Sequence, residues 1–67
     1  MNITDQMLES LYSATIQTRK GITTLIPAIE SLAKGNPKEK EILLVAAKYK
    51  KVEQLMLEIQ KDLKQLI

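Results

Sequence analysis

The sequence predicts an all-α fold, an antiparallel two-helix hairpin of coiled-coil type, and three observations carry that expectation. Gly35-Asn36-Pro37 punctuates the chain near its middle, with a helix-ending glycine followed by a proline suited to the first turn of a new helix. On each side of it, apolar positions recur in alternating steps of three and four, the spacing of a helix seam. The two ladders are mirror images about Pro37, so the chain can fold back on itself. A single domain over residues 1–67 follows, with a first arm over about 5–34, a turn at 35–37 and a second arm over about 38–66.

In the first arm the ladder runs Leu8, Leu11, Thr15, Thr18, Ile22, Leu25, Ile29, Leu32. Thr4 is placed to cap its start, with Asp5 favourably set on the helix dipole. Two residues disturb it. Gly21 costs roughly 1 kcal/mol against alanine in a helix, and Pro27 removes a backbone donor and disfavours helical geometry at Ile26. Because the ladder keeps its phase across both, the arm is expected as one helix, kinked or interrupted near Thr23–Pro27, with Thr23 or Thr24 satisfying freed backbone groups. The alternative is a fresh helix capped by Thr24, with Pro27 in its first turn.

The second arm is more regular: Ile42, Val45, Tyr49, Val52, Met56, Ile59, Leu63 and Leu66 are all apolar or aromatic. In the mirrored register Leu32 meets Ile42, Ile29 meets Val45, Leu25 meets Tyr49 and Ile22 meets Val52. The seam then continues through Thr18 with Met56 and Thr15 with Ile59, to Leu11 with Leu63 and Leu8 with Leu66. Thr15 and Thr18 make the middle of the seam less apolar than its turn half, so packing should be tightest near the turn.

A 67-residue hairpin has one seam to bury and should be marginal alone, which motivates a third helical element from a second copy or another protein. Cysteine and histidine are both absent, so disulfides, thiolate chemistry and the commonest metal ligand are excluded. Serine and threonine have no histidine to activate them, and neither an enzyme nor a cofactor is expected. A net charge of +2 is too small to mark a nucleic-acid-binding domain, although the pI is near 9.0. The first residues lack a basic segment leading into an apolar one, and the longest apolar run, Ile42 to Ala47, is far shorter than a bilayer span. The expectation is a cytoplasmic protein without a membrane segment.

Candidate sites have plain structural readings beside them. Glu39 and Glu41 complement the dipole of the second helix and lack the further oxygen ligands that a metal would need. Lys48, Lys50 and Lys51, with Arg19 and Lys20 expected at a similar height, form the densest basic segment, which reads as a solvated face because Tyr49 falls on the seam. Arg19 and Glu53 lie close enough in that register to pair.

Apolar and small residues off the seam are the informative anomalies and the candidate partner-binding residues. Met7, Ala14, Gly21 and Ala28 recur every seven residues along one edge, facing Leu55. Small side chains there would let another helix approach closely. A sparser outer stripe holds Leu43, Ala47 and Leu57, with Ile16 off the seam on the first arm.

Size, two heptad-patterned arms, the helix end Leu32-Ala33-Lys34-Gly35-Asn36, and a second arm continuing through Glu53, Ile59 and Asp62-Leu63 make the chain resemble the small co-chaperones of type III secretion needle subunits, the family of YscE, PscE and EscE. The resemblance implies a cytoplasmic virulence-associated chaperone. Such a protein binds a larger co-chaperone built of tetratricopeptide-like repeats and, through it, a needle subunit kept from polymerising before export. It transfers a mode of binding and no residue-level motif, and Pro27 departs from it. Two other classes stand beside it. One is a self-associating hairpin, a homo-oligomer when alone. The other is a small phage or plasmid regulator binding nucleic acid or nucleotides through Arg19, Lys20, Lys50 and Lys51.

Overall fold

The computed structural model describes residues 3–67 as α1, Ile3–Ala33, and α2, Glu39–Leu66, packed against each other with no strand among the described residues. The pair forms a rod of 54 × 14 × 11 Å. Its antiparallel sense is fixed by the side-chain contacts between helices. As the α1 partner descends from Glu30 through Thr23 and Arg19 to Tyr12, the α2 partner climbs from Lys50 through Glu53 and Gln60 to Lys64.

α1 is continuous across Pro27, so neither an interruption nor a second helix starting at Thr24 occurs. The threonines fit the helix by bonding back one turn. Thr15 donates to the Leu11 carbonyl at 2.7 Å, Thr18 to Ala14 at 2.8 Å, and Thr24 to Lys20 at 2.9 Å, while Thr23 lies 3.0 Å from the Arg19 carbonyl. None of these serves the Thr23 carbonyl, which is the group deprived of a donor by Pro27. The expectation that Thr23 or Thr24 satisfies that group is therefore corrected. Thr4 is likewise not the cap, because the helix already includes Ile3.

Gly35 ends α1 with φ +73°, a conformation that glycine adopts without the Cβ penalty of other residues. The turn is closed from both sides. Asn36 N–H donates to the Ala33 carbonyl at 3.0 Å, and the Asn36 side-chain oxygen accepts from Lys38 N–H at 2.9 Å. Glu39 reaches back to accept from Gly35 N–H at 3.2 Å. Pro37 precedes the N-cap Lys38 rather than entering the first turn, and Lys38 makes no side-chain cap bond.

The seam keeps half of the sequence ladder and exchanges the other half. Leu8, Thr15, Ile22 and Ile29 face α2, and Ile42, Tyr49, Met56 and Leu63 face α1, all at least half-buried. Between them, however, the helices bury the residue four positions on, not three. Tyr12, Arg19, Ile26 and Ala33 take the places assigned to Leu11, Thr18, Leu25 and Leu32, and Ala46, Glu53 and Gln60 take those of Val45, Val52 and Ile59. The pairings of Leu32 with Ile42 and Leu25 with Tyr49 therefore do not form the seam, since Leu32 is 64% and Leu25 45% exposed. The cause is the width of the apolar stripe. One neighbouring helix covers only one edge of it, and the small Ala33 and Ala46, 1% and 2% exposed, let the backbones close on that edge. With Ile26 they are the buried residues among those described, and all three lie in the turn half.

Candidate protein-docking surface

The exchanged ladder leaves an apolar face uncovered. A step of three rotates a helical position about −60° and a step of four about +40°, so residues three after the seam positions turn to the side away from those four after. Because the helices are antiparallel, these rotations bring both sets to the same side of the rod. Leu11, Leu25 and Leu32 of α1 thus share a face with Val45, Val52, Ile59 and Leu66 of α2, each at least 40% exposed.

The candidate edge borders this face. Met7 is 62% and Leu55 57% exposed, and Ala14, Gly21 and Ala28 are exposed between them. Around Gly21 no atom beyond its own stretch of helix lies within 4 Å of where a Cβ would stand, which leaves the backbone of α1 open to approach. Toward its first turns, Ile3, Gln6, Met7, Ser10, Leu11 and Ala14 line a shallow open groove. No residue of α1 on this side is charged: Asp5, Glu9, Arg19, Lys20 and Glu30 all fall toward the seam or the opposite face. On α2 the matching edge carries Glu41, Lys48, Leu55 and Asp62.

The outer stripe lies on the reverse face and differs in character. Leu43 is 41% exposed, while Leu57 and Ile16 are half-buried. The polar links across the seam open on this side. Lys50 pairs with Glu30 at 3.2 Å, both side chains largely exposed, and the Lys64 ammonium stands 5.5 Å from the Tyr12 ring centre.

The other sequence candidates resolve into structural roles. Arg19 does not pair with Glu53. Its Nε donates to Gln60 Oε1 at 3.0 Å, and Glu53 instead accepts from Thr23. Nor does Arg19 join the lysines, because Gln60 lies ten residues, roughly 15 Å of helix, beyond Lys50. The acidic pair at the start of α2 is divided, with Glu39 engaged by the turn. Among the described residues there is no group of three or more metal-ligating side chains, and no helix is long and apolar enough to cross a membrane. No family model, curated protein or solved structure matches the chain.

Proposed function

We propose that this hairpin is a protein-docking module rather than an enzyme, and that it binds a larger helical protein through the face between Leu11, Leu25 and Leu32 of α1 and Val45, Val52 and Ile59 of α2. The supporting observation is the combination of exposed large apolar side chains on both helices with a wholly uncharged flank of α1. An apolar face bordered by small residues suits a helix laid along it, as in the completion of a bundle. The resemblance to needle-subunit co-chaperones supplies the finer reading. The partner is a tetratricopeptide-like co-chaperone in the cytoplasm, the hairpin stabilises it, and together they hold a needle subunit monomeric before export.

Co-purification from native cells, followed by identification of the bound protein, tests this reading. A helical-repeat partner that is retained by wild type and lost from Val52→Asp supports it, provided that the variant keeps its helical circular dichroism. Retention by Val52→Asp together with loss from Leu43→Asp moves the contact to the reverse face and overturns the assignment.

A further inference from the structure

We infer that, when no foreign partner covers it, the same face closes on a second copy of this chain, with a two-fold axis crossing the rod at the level of Gly21 and Leu55 to make an antiparallel four-helix bundle. This rests on the docking reading of that face and names an occupant for it.

The first argument is area. The chain exposes 5249 Å², whereas a compact monomer of 7.6 kDa is expected to expose about 4,300 Å². The excess, roughly 950 Å², is of the order of the ~800 Å² per partner that a standard specific interface removes. A rod only 14 × 11 Å in section cannot recover that area by itself.

The second argument is where the ladder residues go. In a four-helix bundle each helix touches two neighbours, so an apolar stripe too wide for one seam is fully used. The hairpin seam buries one edge. Leu25 and Val52, on the other edge, become core against the second copy, and the interhelical pair of Arg19 and Gln60 is left on the flank of the hairpin seam.

Charge then selects between the two ways of apposing the faces. An axis parallel to the helices would set α2 over α1 of the partner copy, placing Lys48 and Asp62 against an uncharged flank. An axis perpendicular to the helices sets α1 on α1 and α2 on α2, both antiparallel. Lys48 and Asp62 are each seven residues from Leu55, so an axis at Leu55 brings Lys48 of each copy to Asp62 of the other. In α1, Ala14 and Ala28 are each seven residues from Gly21, and an axis there lays small residues against small residues. The structure brings the two centres to within about one or two residues, roughly 2–3 Å, of the same height. Gly21 lies between Arg19, bonded to Gln60, and Thr23, bonded to Glu53, which puts it level with the stretch containing Leu55.

The absence of cysteine makes a direct test possible with single-cysteine variants of the full chain. Sedimentation equilibrium of wild type should report twice the 7.6 kDa chain mass at high concentration. In a glutathione redox buffer, Gly21→Cys and Leu55→Cys should each cross-link to themselves. Ala14→Cys should cross-link with Ala28→Cys in a mixture but not alone, and Leu43→Cys should not cross-link. Lys48→Asp should raise the dimer dissociation constant at least about fivefold, and adding Asp62→Lys should restore it. A wild-type monomer at all concentrations, self-linking of Ala14→Cys, or failure of the charge swap to restore association overturns the dimer. A monomer that still loses its foreign partner on Val52→Asp leaves docking intact, whereas insensitivity to Val52→Asp in both assays rejects the two readings together.

Discussion

Arg19 donates through Nε to Gln60 Oε1 at 3.0 Å across the seam, in a partly buried position where the sequence ladder places Thr18 and Ile59. The pair sits beyond the alanine-lined half of the hairpin, so it substitutes a hydrogen bond for apolar packing. Gln60→Ala leaves the guanidinium partly buried without that acceptor and should destabilise the hairpin by about 1–2 kcal/mol. Replacing both partners with leucine should cost less than either single change, because no polar group is then stranded. Urea titrations arranged as a double-mutant cycle measure the difference, and simple additivity would contradict it.

Ala46 and Val45 discriminate the observed seam from the one read along the ladder. Ala46 is 2% exposed in the seam, so Ala46→Leu should force the helices apart and cost about 1–3 kcal/mol. Val45 is 46% exposed, and Val45→Ala should cost less than about 1 kcal/mol in the isolated hairpin. Chemical denaturation at concentrations below self-association reads both. If Val45→Ala proves the more damaging, the helices are rotated toward the ladder residues.

These two positions also show what the sequence makes legible. Steps of three and four, with Gly35-Asn36-Pro37 between them, suffice for helix number, polarity and turn, because a glycine at φ +73° followed by an Asn36 side-chain bond closes the connection locally. Rotation about the helix axes is not local. Leu8, Thr15, Ile22 and Ile29 sit at the middle of the apolar stripe and are assigned to the seam under either rotation, whereas Leu25 and Ile26 are neighbours in sequence on different sides of it. Only the sizes of Ala33 and Ala46 favour the observed edge, and their place in the seam is not marked by hydropathy. The exposed apolar face is not legible for the same reason: Leu11, Leu25, Leu32, Val45, Val52 and Ile59 look like core until the small residues claim the seam. Met7, Ala14, Gly21, Ala28 and Leu55 were visible as an edge because they stand clear of either seam.

The two glycines should respond to alanine with opposite signs. Gly35 has a positive φ, and Gly35→Ala should cost about 1 kcal/mol through strain at the helix end. Gly21 is helical with nothing within 4 Å of an added Cβ, so Gly21→Ala should stabilise the monomeric hairpin by about 0.5–1 kcal/mol. Thermal unfolding followed by circular dichroism at low micromolar concentration compares them directly, and a shared sign would contradict the assignment of one glycine to the turn and the other to an open helix face.

Enlarging Gly21 further separates folding from docking. Leucine at this position has high helix propensity and open space around it in the hairpin, so Gly21→Leu should raise helix content and melting temperature in the monomeric hairpin, below the concentration of self-association. The same side chain projects from the edge where a third helix must lie close, and it should weaken binding of the helical partner by about tenfold or more, equivalent to ~1.4 kcal/mol. Stability and affinity then move in opposite directions, which loss of fold alone cannot produce. Leu43→Ala on the reverse face supplies the control, since Leu43 is 41% exposed and contributes little to the seam. Leu57→Ala is less clean because Leu57 is half-buried, and its loss of stability must be measured before its affinity is compared. Titration of the purified partner against the three variants decides the matter: if Gly21→Leu binds as wild type while Leu43→Ala fails to bind, the outer stripe carries the contact and the face beside Gly21 does not.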